Sequence, residues 1–124
     1  MKTELTLEAW LNEYKDEISQ LIEFSKAPLP NDPGALHIEL SRAQQDIGRA
    51  GALLADLEAY VTQAEAAATI EVRGKHEGFT AGERRAMVKA EISNIVRYRD
   101  AIRTVVQALR NKNFSIMNLG RSQR

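Results

Sequence analysis

The chain has 124 residues, no cysteine, and 17 basic against 17 acidic side chains, for a formal net charge of zero. One domain fits that length, and the absence of cysteine excludes disulfides, thiolate metal sites and cysteine nucleophiles. Met1 leads into charged Lys2 and Glu4, and no apolar run reaches signal-peptide or membrane-span length, so a cytoplasmic protein without membrane contact is expected.

In chain order, a first helix is predicted over 6–27. Thr6 supplies an N-cap, and Leu7, Trp10, Leu11, Tyr14, Ile18, Leu21 and Ile22 form a stripe at helical spacing, backed by an acidic face. Trp10, the only tryptophan, reads as a core or interface anchor. Pro28-Leu-Pro-Asn-Asp-Pro33 then makes a stiff connector, in which Asp32 caps the next helix and Pro33 takes its first position.

The second helix, predicted over 33–72, dominates the pattern. Leu36, Leu40, Ala43, Ile47, Ala50, Leu54, Leu57, Val61, Ala64 and Ala68 follow one another in alternating steps of four and three. That spacing keeps one seam against partner helices throughout. The seam is rich in alanine, and Gly48 and Gly51 lie beside it, each costing about 1 kcal/mol relative to alanine, so close backbone contact is expected there. The remaining positions, Asp46 among them, read as a solvated, mostly acidic face. A helix of that span is about 60 Å long, whereas a compact chain of this size has a radius of gyration of about 14 Å. An elongated molecule is expected.

Residues 73–80 read as a loop, in which His76-Glu77 is a solvated pair rather than a ligand set. Thr80-Ala-Gly-Glu83 matches a capping box and opens a third helix predicted over 81–111. Its apolar face is centred near Ile95 and Ile102, with Tyr98 expected in the core and Glu91 inside the apolar sector, where it needs a partner. Asn111-Lys-Asn113 is expected to break the helix, leaving an apolar and basic segment over 112–124. No stretch alternates with period two. The predicted fold is all-α, a single domain made of a long antiparallel helical hairpin with an additional N-terminal helix, self-associating through the alanine seam, at Ala43 and Ala50, or through the C-terminal turn.

Enzyme signatures are missing. Neither histidine has metal-binding spacing, Gly74-Lys75 lacks the rest of a phosphate loop, and the carboxylates have no His, Lys or hydroxyl partner set for acid and base work. A non-catalytic protein without cofactors is expected. The charge, however, is split: residues 1–72 hold 13 acidic and 5 basic side chains, and residues 73–124 hold 4 and 12. On the third helix Arg85, Lys89, Arg99, Arg103 and Arg110 fall on one stripe, which Lys112 and Arg121 continue. Such a stripe binds a nucleic-acid strand through its phosphates, or else pairs with the carboxylates of the first two helices. Phe114, flanked by cations, is either a base-stacking residue or a hydrophobic clasp.

The stretch Ala108-Leu-Arg-Asn-Lys-Asn-Phe-Ser-Ile-Met-Asn-Leu-Gly-Arg121, following a long helix that carries Tyr98, resembles the C-terminal part of the UvsY family of phage recombination mediators. The resemblance extends over about Leu36 to Arg121 and is most specific in the last fifteen or so residues. It implies a non-catalytic homo-oligomer that binds single-stranded DNA and helps a recombinase displace single-strand-binding protein. It also implies that Lys112, Phe114, Ile116 and Leu119 belong to an oligomerising C-terminal segment. The alternative from another class is a helical structural or adaptor protein, a phage assembly component or protein-binding inhibitor, in which the charge split only sets helix pairing.

Overall fold

The structure, a computed structural model, describes residues 7–75 and 78–122, with side chains as far as Leu119. Its elements are four helices, α1 (Leu7–Lys26), α2 (Pro33–Lys75), α3 (Ala81–Glu91) and α4 (Ser93–Ser122), and no strand occurs among the described residues. The all-α reading holds. Thr6 as a cap and the His76-Glu77 pair lie outside the described residues.

The start of α2 follows its sequence signals. Asp32 Oδ2 accepts from the Ala35 N–H at 2.9 Å and the Asp32 carbonyl accepts from the Leu36 N–H at 2.9 Å, while Pro33 occupies the first helical position. All ten seam residues are buried or half-buried. The helix runs beyond the expected end at residue 72, because Val72 is itself buried at 2% exposure. Leu36 and Val72 are 36 residues apart, which is about ten turns at 3.6 residues each. Val72 therefore returns to the core side, and the last turn is carried on by a 2.8 Å bridge from Lys75 to Glu71. That contact holds the Glu71 carboxyl below its ordinary value and the Lys75 ammonium above its own.

α4 lies antiparallel to α2. Lys112 meets Glu39 near one end, Arg103 meets Glu58 further along, and Ile92 and Ile95 pack with Val61 and Ala68 near the other. α1 covers one flank of this pair. Trp10 is fully buried against that core with Leu57 and Leu109, and its indole N–H donates to Asp56 Oδ2 at 3.2 Å.

Several expectations change. The helix predicted over 81–111 is two helices, joined at Ile92 with φ −96° and ψ 6°. Ser93 and Asn94, weak helix formers, stand at the joint, and α3 rests on α2 without fully burying a side chain of its own. α4 in turn passes straight through Asn111-Lys-Asn113. Leu109 and Ile116, one heptad apart and both buried, hold that stretch against the core, and Lys112 is anchored between them.

A wheel drawn over one continuous helix does not carry its phase across the joint. Glu91 is accordingly exposed rather than inside an apolar sector, and Tyr98, at the edge of the α4 apolar face, is 44% exposed. Asp46 moves the other way: it is 4% exposed, because it lies on the flank that α1 covers, between Arg42 at 3.6 Å and Arg49 at 3.5 Å. Among the described residues Gly48 and Gly51 have no close backbone neighbour, since a Cβ at either position would meet nothing within 4 Å. They belong to an outer face of α2 on which Gly48, Ala52, Ala55, Ala59, Thr62 and Ala66 are exposed or open and uncharged. Ala43, Ala50 and Ile116, expected at interfaces between copies, are instead buried in the chain's own core.

Candidate nucleic-acid interface

The seven cations expected on one stripe are distributed by the fold into different roles. Lys112 is withdrawn from solvent: its ammonium donates to the Phe24 carbonyl at 2.6 Å and the Ala27 carbonyl at 3.2 Å, and lies 3.3 Å from Glu39 Oε2. It also sits 3.8 Å from the centre of the Phe24 ring. This cation satisfies carbonyls at the C-terminal end of α1, where positive charge complements the helix dipole. A phosphate cannot reach it.

Arg103 and Arg99 are engaged as well. The Arg103 guanidinium lies 3.5 Å from Glu58 and 3.7 Å from Asp100, and Arg99 lies 3.0 Å from Asp100. Arg110 is exposed farther along α4. The Arg121 side chain lies outside those described.

Arg85 and Lys89 remain, and the fold gives them new neighbours. Between the C-terminal half of α2, α3 and the first turns of α4 there is an open cleft of about 850 Å³. Arg73 comes from α2, Arg84, Arg85 and Lys89 from α3, and Arg97 and Arg99 from α4; among the described residues Glu65 is the single carboxylate in the lining. Among the described residues Arg73, Arg85, Lys89 and Arg97 form no ion pair. The Arg85 Nε–H donates to the Ala81 carbonyl at 3.4 Å.

Local structure explains why these side chains gather. The capping box is complete, with Thr80 Oγ1 accepting from the Glu83 N–H and Glu83 Oε1 accepting from the Thr80 N–H, each at 3.2 Å. It sets where α3 starts, and from that start Arg85 and Lys89, four residues apart, share a face. The joint at Ile92 then places that face beside Arg97 of α4 and Arg73 of α2. Beneath the cations lie Val61, Val72, Val88, Ile92 and Val96. An anion in such a cleft is attracted by several charges at once, next to apolar walls that screen less than water.

Sequence reasoning missed Arg73, Arg84 and Arg97. Arg73 falls in the predicted loop over 73–80, and Arg97 does not fall on the stripe drawn over one continuous helix. The available signal was compositional, because the cationic part of the chain begins at Arg73. The aromatic candidate, Phe114, is 66% exposed but lies toward the other end of α4, with Met117 and Leu119. No aromatic side chain is found in the cleft lining among the described residues.

Among the described residues no group of three or more His, Asp or Glu side chains could hold a metal ion, and no helix is long and apolar enough to cross a membrane. The chain matches no protein-family model, and comparison with curated proteins and with solved structures gives no significant match.

Proposed function

We propose that this is a non-catalytic accessory protein that binds single-stranded DNA by its phosphates in the α2–α3–α4 cleft, acting as a cytoplasmic mediator for a recombinase or a single-strand-binding protein. The observation that carries the reading is the convergence of Arg73, Arg85, Lys89 and Arg97, all without ion pairs among the described residues, on a cleft whose described lining holds one carboxylate. Cations left unpaired beside apolar walls repel one another, and a polyanion relieves that repulsion. Self-association belongs to the same proposal. It falls to Phe114 and Leu119, which stay exposed, because Ala43, Ala50 and Ile116 are occupied within the chain.

The interhelix pairs Arg49–Glu17, Arg103–Glu58 and Lys112–Glu39 favour the second reading, a helical adaptor whose charges set only how its helices pair. Anisotropy of a labelled oligo-dT separates the two. Four phosphate contacts predict a slope of about −3 for log affinity against log salt. Arg85→Glu with Lys89→Glu is expected to abolish binding at unchanged helicity, while Arg103→Glu, at a residue already paired, retains most of it. Absence of binding even at low salt would leave the adaptor reading.

A further inference from the structure

Phosphates alone require no apolar floor, yet five aliphatic side chains share the cleft lining with the cations. Val61, Val72 and Ile92 are buried, and Val88 and Val96 are half-buried at the surface of the cleft. An apolar hollow edged with cations matches the two halves of a nucleotide, a base whose faces shun water and a phosphate that carries charge. Its volume of about 850 Å³ lies within the range of sites that enclose a compact ligand.

We infer that the cleft seats an unstacked base of a single strand against Val88, Ile92 and Val96, while the neighbouring phosphates lie on Arg73, Arg85, Lys89 and Arg97. This rests on the nucleic-acid reading above and adds to it a requirement for bases. In a duplex each base is paired and stacked, so presenting one to the cleft costs a few kcal/mol of unstacking. A single strand presents it far more cheaply. With no aromatic among the described lining residues, the base faces meet aliphatic carbons and guanidinium planes, contacts available to every base. Strand selectivity with little sequence preference follows.

The test compares three probes of equal length and label: oligo-dT, an abasic strand with the same sugar-phosphate backbone, and a duplex. At one salt concentration oligo-dT is expected to bind about tenfold more tightly than the abasic strand, with both showing the same salt slope. Val88→Asn, which leaves every charge in place, is expected to weaken oligo-dT severalfold and leave the abasic strand unchanged; Val96→Asn repeats the measurement on α4, and circular dichroism confirms that both variants fold. Equal binding of oligo-dT and the abasic strand would overturn the inference while leaving the phosphate-binding function intact. If neither strand binds at low salt, both fall. If an acidic amphipathic helical peptide of alternating Leu and Glu faces displaces oligo-dT at lower concentration than unlabelled oligo-dT does, the occupant is a protein helix and the seat for a base is refuted.

Discussion

Lys112 shows how a single side chain can change role between sequence and fold. Between two asparagines and just before Phe114 it reads as an exposed cation, yet its side chain is 5% exposed and joins the end of α1 to both other long helices. Its ammonium answers carbonyls at Phe24 and Ala27 and the Glu39 carboxylate, and Arg42 lies over the same Phe24 ring at 4.1 Å. Lys112→Ala would leave two carbonyls and a partly buried carboxylate without their donor. A loss of about 2–4 kcal/mol is expected from urea unfolding, with Lys112→Met recovering part of it by keeping the stem packed on Phe24. An unchanged midpoint for Lys112→Ala would show that water replaces the ammonium at no cost. The sequence could not reveal this role, because it depends on where the Pro28–Pro33 connector leaves the end of α1. Trp10, in contrast, was legible: one indole on an apolar stripe has few places to go other than the core.

At the scale of elements, what could be read was whatever a helix writes into its own period. The α2 seam is such a pattern, and burial follows it from Leu36 to Val72. The capping box at Thr80 is another, since all of its partners lie within four residues. What could not be read was what depends on a second element. The joint at Ile92 leaves Val88, Ile92 and Ile95 at steps of four and three, so the apolar pattern runs on while the backbone at Ile92 departs from helical dihedrals. The cleft draws its cations from α2, α3 and α4, so that mix was invisible in the period of any one of them. The glycines are a similar case: a Gly-x-x-Gly spacing suggests close packing, but among the described residues nothing lies within 4 Å of a Cβ placed at Gly48 or Gly51. Each therefore carries the entropic cost of glycine in a helix without a packing gain. Gly51→Ala is expected to raise stability by up to about 1 kcal/mol, and Gly48→Ala by a similar amount. Thermal and urea unfolding of the two variants would check this, and a loss of stability at either site would mean that another molecule packs closely there.

For the molecule as a whole, the zero net charge conceals a division that the fold only partly cancels. The acidic α1 and α2 meet the basic α4 at Glu39–Lys112 and Glu58–Arg103, and these pairs favour the antiparallel register over its reverse. The exposed Glu58–Arg103 pair adds little stability, so its value lies in orientation, whereas Glu39–Lys112 is withdrawn from solvent and contributes to both. Cations without ion pairs among the described residues collect in the cleft between α2, α3 and the first turns of α4. Length is the other consequence: α2 alone has 43 residues, about 64 Å from end to end, and a rod of that length has a radius of gyration of about 18 Å, against about 14 Å for a compact chain of 124 residues. Small-angle scattering at low concentration is expected to give a value near the rod figure. If Phe114 and Leu119 join copies end to end, the apparent length grows with concentration and sedimentation velocity shows species above 13.9 kDa. Phe114→Ser should return the particle to a monomer of the same rod-like size with its helicity intact. A wild-type chain that sediments as a monomer at every concentration would remove self-association from the proposal, and the cleft would then have to hold its strand with the cations of one copy alone.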